Sequence, residues 1–277
     1  VVHSCAGHIA TFWTFDLLSS AEAESREQSV MKLSTIDSVH LSLIIPAFNE
    51  ETRIGKSLET ILRFLKSQSY SFEVIVVDDG SCDGTRVLIN ERYGNDPCVR
   101  LHAKPIRRGK GAAVQDGMLQ ARGRFLFFSD ADLSVPIETI PLFLSHLQNG
   151  CGIAIASRRR RGAKVERHQP AIREFMGGVF TRLSNRILAL QHSDLTCGFK
   201  GFRREIAKEL FSRQLLDDWS FDSEILYLAK IKGYRVLEVP VTWRNNAATK
   251  VKLSRDVISS FLGLLFIRVN HYLGRYG

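Results

Sequence analysis

The chain has 277 residues, 44% of them hydrophobic and 24% charged, which is enough apolar material for one α/β domain with a large core and excludes a disordered polyelectrolyte. Its formal net charge of +9 calls for an anionic partner, but the basic residues sit in no helix-turn-helix, zinc-finger or aromatic RNA-binding signature, so nucleic acid is not the expected one. Five scattered cysteines without a Cys-x-x-Cys pair fit a reducing cytosolic environment better than a disulfide scaffold or a zinc site.

In chain order, residues 1–38 read as a leader outside the fold, non-native or disordered, with the apolar stretch Ile9 to Leu18 interrupted by Asp16. A β-branched run, Leu41 to Pro46, predicts a strand. Ala47-Phe48-Asn49-Glu50-Glu51 then opens an amphipathic helix whose apolar face is Leu58, Ile61, Leu62 and Leu65. Phe72 to Val77 is a second strand, ending in Asp78-Asp79-Gly80, and Val99 to His102 a weaker third. A helix from Gly111 to Ala121 leads into the aromatic strand Phe125 to Phe128, and Ile153 to Ala156 forms a fifth strand. Strands alternating with helices of ten to fifteen residues predict a predominantly parallel sheet with right-handed crossovers, whose strand tips present ligands along one edge.

At that edge the aromatic strand ends in Ser129-Asp130-Ala131-Asp132. Two carboxylates two residues apart suit a hard divalent cation such as Mg²⁺, which takes one or two protein carboxylates and fills its remaining positions with water and substrate phosphate. An Asp-rich turn followed by a helix cap would look the same in isolation. Gly109-Lys110-Gly111 opens the preceding helix, where exposed amides and the positive end of the dipole suit phosphate or sugar oxygens. Asp78 reads either as a ligand contact or as the residue that holds the turn at Gly80.

The segments Pro46-Ala47-Phe48-Asn49-Glu50, Val77-Asp78-Asp79-Gly80-Ser81, Arg108-Gly109-Lys110-Gly111-Ala112 and Asp130-Ala131-Asp132 occur in the order and at roughly the spacing of the inverting GT-A glycosyltransferases of family two. Downstream, Ser157-Arg158, Asp194 to Lys200, Phe221 to Glu224, Glu238 to Val241 and Thr249-Lys250-Val251 are similar to the polyprenyl-phosphate sugar synthases. Cys197-Gly198-Phe199-Lys200 most resembles the dolichyl-phosphate β-glucosyltransferases. The likeness covers about residues 40 to 275. It implies a GT-A, Rossmann-like domain over residues 39–252, followed by a C-terminal amphipathic helix over 253–277. It also implies a nucleoside pocket from Pro46, Phe48, Glu50 and Asp79, with Lys110 and Gly111 near the diphosphate. Asp130 and Asp132 would hold Mg²⁺ or Mn²⁺, the second reaching the metal and the first a ribose or a metal-bound water. Mannosyl-type synthases place another metal-reaching side chain where this chain has Ser134.

The implied donor is a nucleotide sugar, UDP-glucose favoured over GDP-mannose through Cys197 to Lys200, and the implied acceptor is a polyprenyl or dolichyl phosphate. A phosphomonoester has a second pKa near ~6 and is largely a dianion at neutral pH, so it needs positive charge rather than a general base. The resemblance singles out Arg158 and Arg173 as the acceptor phosphate contacts, leaves Arg159, Arg160 and Arg161 as surface, and brings Lys250 over from the far side. It puts Asp194 beside the acceptor, orienting Lys200 or an arginine, or simply pairing. Asp222 reads equally well as a helix N-cap.

No stretch reaches the ~20 apolar residues of a membrane span. The run Val257 to Ile267 either lies in a bilayer interface, with Phe261, Leu264, Leu265, Phe266 and Ile267 toward lipid and Arg255, Arg268 and Arg275 at headgroup height, or packs on the domain. The sequence therefore predicts a peripheral hexosyltransferase at the cytoplasmic face of a membrane, the endoplasmic reticulum in a eukaryote or the plasma membrane in a prokaryote. The competing readings are transfer to a carbohydrate or protein hydroxyl, nucleotidyl transfer, and a non-catalytic sugar-nucleotide or lipid-phosphate binding module.

Overall fold

The structure is a computed structural model that describes residues 39–245 and 253–277, with the side chains of 253–258 left out. The expected leader, Thr249-Lys250-Val251 and the side chain of Arg255 lie outside the described residues, so Lys250 is given no place in the site. From the start of the described chain the elements are β1 (Leu41–Ala47), α1 (Ile54–Lys66), β2 (Phe72–Asp78), α2 (Thr85–Tyr93), β3 (Val99–Ala103), α3 (Lys110–Gln120), β4 (Phe125–Ser129), α4 (Ile140–Gln148) and β5 (Ile153–Ser157). They continue with β6 (Lys164–Arg167), α5 (Ala171–Leu188), β7 (Phe199–Arg203), α6 (Arg204–Ser212), α7 (Phe221–Ile231), β8 (Val236–Pro240), β9 (Thr242–Arg244) and α8 (Leu253–Tyr272).

Seven strands form one sheet in the order β3-β2-β1-β4-β7-β5-β8, and β6 pairs with β9 in a small second ribbon. All neighbours in the large sheet are parallel except β7, which runs against both β4 and β5. Strands buried on both faces explain the continuous apolar runs in the sequence. Leu41, Leu43 and Ile45 of β1, with Phe125 and Phe127 of β4, pack under α1 and α4 on one face. Ile44, Leu126 and Phe128 point the other way, toward α3, α6, α7 and α8. This is the predominantly parallel, helix-flanked sheet that the alternation of elements predicts.

Two expectations about helix ends change. The segment Ala47 to Glu51 does not open α1, which begins at Ile54. Asn49 adopts a left-handed φ of 53°, and the amides of Asn49 and Glu50 donate to Ser81 Oγ and Thr85 Oγ1, both at 2.8 Å. Those bonds hold the segment as a loop against the β2–α2 turn, so Glu50 is a loop residue rather than a first-turn acid. Asp222 lies in the first turn of α7 but caps nothing, because its carboxylate is drawn to Lys200 Nζ at 2.5 Å.

The C-terminal helix packs on the domain with one face and leaves an apolar stripe exposed on the other. Leu264 and Ile267 are fully buried, and the Phe261 ring meets that of Phe180 at 5.7 Å, so these three do not face outward as the interfacial reading expected. The outward stripe is Leu262, Leu265, Phe266, Val269 and Leu273, each half or more exposed, at helical spacing. Among the described residues no helix is long and apolar enough to cross a membrane.

Candidate active site

A cleft of about 1680 Å³ opens along the carboxyl ends of β1, β2, β4 and β5. Small-molecule sites are usually about 300–1,000 Å³, so this one has room for two ligands side by side. It brings together Pro46, Phe48, Glu50, Asp79, Lys110, Asp130, Asp132, Arg158 and Arg173 from residues spread over most of the chain. Gly111 is the exception. It is buried, and a Cβ there would stand 2.7 Å from the Leu216 carbonyl oxygen and 2.8 Å from Phe221 Cβ, so its smallness serves helix packing rather than ligand contact.

One end of the cleft is built by β1 and β2. The Arg107 guanidinium lies 4.1 Å from the centre of the Phe48 ring, a flat cationic and aromatic floor. Arg53 binds both carboxylate oxygens of Glu50, one of them at 2.7 Å. Asp79 is committed to the backbone: Oδ1 accepts from the Arg108 amide at 3.0 Å and Oδ2 from the Gly109 amide at 2.7 Å, which ties the β3–α3 loop to the tip of β2. Asp78 is structural, as one of its two readings has it. It is fully buried and accepts from the Ser81 amide at 3.1 Å and from Arg86 Nε at 2.5 Å.

In the middle of the cleft Asp130 and Asp132 converge. Lys110 Nζ lies 2.5 Å from Asp130 Oδ1 and 5.1 Å from the centre of the Trp219 ring. Burial pulls the Lys110 ammonium down, but the charges of Asp130 and Asp222 outweigh it and hold the pKa above its ordinary value. Burial and then the Asp130 charge push the Asp132 carboxyl up, a shift that a cation bound beside it would oppose. Two acids with mutual repulsion, opening into a cleft wide enough for a diphosphate, fit a hard divalent ion that takes its other ligands from substrate and water. Asp132 Oδ1 also accepts from the Ser134 amide at 2.9 Å, and Leu133 between them has a left-handed φ of 50°. An apolar side chain rarely adopts that conformation, so the turn is over-determined by its surroundings at the point where the acids must be aimed.

Asp130 is also packed from behind. Its amide donates to the Gly198 carbonyl at 3.0 Å, and a Cβ on Gly198 would stand 1.9 Å from Asp130 Oδ2. Gly198→Ala is therefore expected to expel the Asp130 carboxylate from its position and cut turnover by about a hundredfold or more, on the scale of losing one preorganised electrostatic contact. A circular dichroism spectrum that stays unchanged beside wild-type activity would contradict this.

The other end of the cleft is cationic. Arg158 makes a two-pronged pair with Asp194, Nε to Oδ2 at 2.7 Å and Nη2 to Oδ1 at 2.8 Å, and its own amide donates to Oδ2 at 3.0 Å. Burial pushes the Asp194 carboxyl up, but the Arg158 charge and hydrogen bonds outweigh it and hold the group below the usual carboxylate range. Glu238 supports the arrangement from beneath by accepting from the amides of Ser193, at 2.8 Å, and Asp194, at 3.1 Å. Of the two partners expected for Asp194, it is the arginine that it orients. Lys200 turns instead to Asp222 and to the Cys197 carbonyl at 2.9 Å. Arg173 reaches the cleft from the start of α5, and its buried Nε has no hydrogen-bond partner among the described residues. Burial pushes the Cys197 thiol up to about 12, which keeps it protonated and removes it as a nucleophile.

Several lining residues carry no sequence signal. Trp219 and Trp243 lie outside any motif, yet the first faces Lys110 and the second lies 5.4 Å from the Arg158 guanidinium. Arg53 was open to inference, since it stands three residues after Glu50, although reading that spacing as a contact requires knowing that the chain turns there.

The model of glycosyl transferase family 2 matches residues 42–211. The chain is 33% identical over 250 residues to a dolichyl-phosphate beta-glucosyltransferase of Trichomonas vaginalis, covering 86% of this chain and 76% of the relative. It is 30% identical over 272 residues to the human protein of the same name, covering 92% and 82%. Its fold is similar to glucosyl-3-phosphoglycerate synthase from Mycobacterium tuberculosis, crystallised with Mn²⁺, UDP-glucose and phosphoglyceric acid, with a TM-score of 0.60 at 18% identity over 82% of this chain and 79% of that one. The strand tips, the paired acids and the order of the motifs all agree with these likenesses: the chain is a glycosyltransferase and belongs to glycosyl transferase family 2, alongside the dolichyl-phosphate beta-glucosyltransferases.

Proposed function

We propose that the enzyme transfers glucose from UDP-glucose to dolichyl phosphate, or to a related polyprenyl phosphate, with inversion at the anomeric carbon and with Mg²⁺ or Mn²⁺ as cofactor. The observation that carries this reading is the division of one cleft into an acidic half at Asp130 and Asp132 and a cationic half at Arg158 and Arg173. Asp130 and Asp132 would hold the cation, which when bound neutralises the departing diphosphate. Phe48, Glu50, Arg53 and Arg107 line the nucleoside end, and Lys110 lies beside the acids, where a cation stabilises charge on the leaving group.

The acceptor half supports a phosphate rather than a hydroxyl. Asp194 and Asp222 are consumed by Arg158 and Lys200, and Glu174 accepts from the Gln169 amide at 3.1 Å, so none of these carboxylates is poised to remove a proton. A phosphate dianion needs none. One of its oxygens would attack the anomeric carbon as the bond from that carbon to the diphosphate oxygen breaks, and the electron pair leaves with UDP. The buried Nε of Arg173, without a hydrogen-bond partner among the described residues, favours an anion at this end. Incubating the enzyme with UDP-glucose and Mn²⁺ tests the reading: UDP release that requires dolichyl phosphate supports it, whereas release driven by a sugar or peptide hydroxyl refutes it.

The membrane contact proposed here is the outward stripe of α8 together with Ile172 and Phe175 near the start of α5, both more than half exposed. Such a patch is suited to lie among headgroups beside an acceptor whose chain is buried in lipid. We place this contact at the cytoplasmic face of a membrane, that of the endoplasmic reticulum if the chain shares the eukaryotic origin of these two relatives. Replacing Leu265 and Phe266 with Ser is expected to weaken binding to phosphatidylcholine and phosphatidylinositol vesicles about tenfold or more, given ~1.5–3 kcal/mol for fully burying a large apolar side chain. UDP affinity should not move. Vesicle sedimentation equal to wild type would remove this face from consideration.

A further inference from the structure

The loop of residues 213–220 between α6 and α7 touches the cleft on one side and α8 on the other. On its cleft side Trp219 faces the Lys110 ammonium, and the Asp217 carboxylate, outside the cleft lining, accepts from Nε, at 3.1 Å, and Nη2, at 2.9 Å, of the lining residue Arg108. The Asp217 carbonyl accepts from the Ala112 amide at 3.2 Å, in the first turn of α3. The close approach of Gly111 to Leu216 completes this contact. The loop is thus the wall against which the N-terminus of α3, and with it Lys110, is seated.

Behind the loop stands Glu224, fully buried on α7 and outside the lining of the cleft. Its Oε1 accepts from the Leu215 amide at 3.0 Å and its Oε2 from the Leu216 amide at 2.9 Å. Tyr276, itself buried, donates its hydroxyl to Glu224 Oε1 at 2.6 Å. Two further contacts bind the same loop to α8: Ser259 Oγ donates to Asp218, and a Cβ on Gly263 would stand 2.1 Å from Ser220 Oγ. A carboxylate without solvent access is costly, and burial pushes this one up. An apolar side chain would fill the space at lower cost, but it could not accept from two consecutive amides.

We infer that Glu224, fixed by Tyr276, is a positioning residue for the donor end of the cleft: it holds the 213–220 loop, and through it Trp219, Asp217 and the Lys110 end of α3. The inference rests on the donor reading above. It makes the last turn of the described chain a part of the substrate machinery rather than only a lid on the core.

The test is calorimetric titration of UDP with Mn²⁺ into wild type, Glu224→Gln and Tyr276→Phe, with steady-state kinetics for both substrates. In Glu224→Gln one amide must face the new NH₂ group, so the UDP dissociation constant and the donor KM should rise about tenfold, the loss of one charge-assisted hydrogen bond. The KM for dolichyl phosphate should stay within twofold. Tyr276→Phe should move the donor values in the same direction by a smaller factor, and it decides the matter by the same criteria if Glu224→Gln does not fold. A folded variant with wild-type UDP affinity and donor KM overturns the inference, as does an equal rise for both substrates, which would mean general loosening. Wild-type protein that fails to bind UDP would overturn the donor reading itself, an outcome distinct from any result on the variants.

Discussion

Replacing Asp132 by Asn is expected to lower turnover by about three orders of magnitude or more, the upper range for removing one electrostatic contact to a developing charge. Asn keeps the shape and can still accept from the Ser134 amide through its side-chain oxygen, so the turn with Leu133 at positive φ should survive. What disappears is the second negative charge of the pair. The burial cost and the repulsion from Asp130 that together raise the Asp132 pKa vanish with it, so the variant should be as stable as wild type or slightly more so in the absence of metal. The combination is diagnostic. Titration of UDP should lose its dependence on Mn²⁺ while the melting temperature holds, and near-normal turnover with unchanged metal dependence would exclude Asp132 as a ligand.

The second large effect is at Arg158. Truncating it to Ala leaves Asp194 with no solvent access and without its counter-charge, and breaking a buried pair in this way costs about 3–5 kcal/mol. Acceptor saturation should fail at the same time, so this single variant confounds folding with function. Arg158→Met combined with Asp194→Leu separates them, because apolar replacement of both partners is often neutral for stability. The double variant should recover most of the lost melting temperature and none of the turnover. If it recovers turnover, Arg158 binds no acceptor phosphate. The pair also sets a pH dependence. The Asp194 carboxyl sits lower in the folded chain than in the unfolded one, so its contribution is fully present above about pH 4 and is lost as pH falls through the folded value. Urea titrations between pH 7 and 3 should show that loss in wild type and not in the double variant.

Much of this architecture was legible in the sequence because burial on both faces leaves a strong signal. The apolar runs at 41–46, 72–77, 125–128 and 153–156 are strands within a residue of their expected ends, since a strand covered by helices on both sides can hold almost nothing else. Phe199 to Arg203 was not legible as a strand. It is short, carries Lys200 and Gly201, and is explained only by what it meets: Lys200 finds Asp222, and Gly201 lies against the Phe127 ring. The same holds for the site. Asp130, Asp132 and Arg158 stand in motifs and Arg173 is reached only through the resemblance, whereas Trp219 comes from a loop with no motif, between α6 and α7, and still lines the cleft. Gly111 misled in the opposite direction, because a glycine at a helix start looks the same in sequence whether it admits a ligand or a neighbouring backbone.

The reversed strand β7 also bears on how the molecule is assembled. It lies between β4 and β5, so the two halves of the sheet share no ladder until a segment made much later is threaded between them. A chain emerging from the ribosome can pair β1 to β4 at once, but β5 must wait for β7 before it joins that sheet. The pairing that admits β7 is also the one that carries Gly198 against Asp130. Non-local pairings of this kind form late and slowly. The acidic centre is consequently finished by the same event that welds the sheet, and a half-made polypeptide has the strands on one side of it but not the finished turn at Asp130.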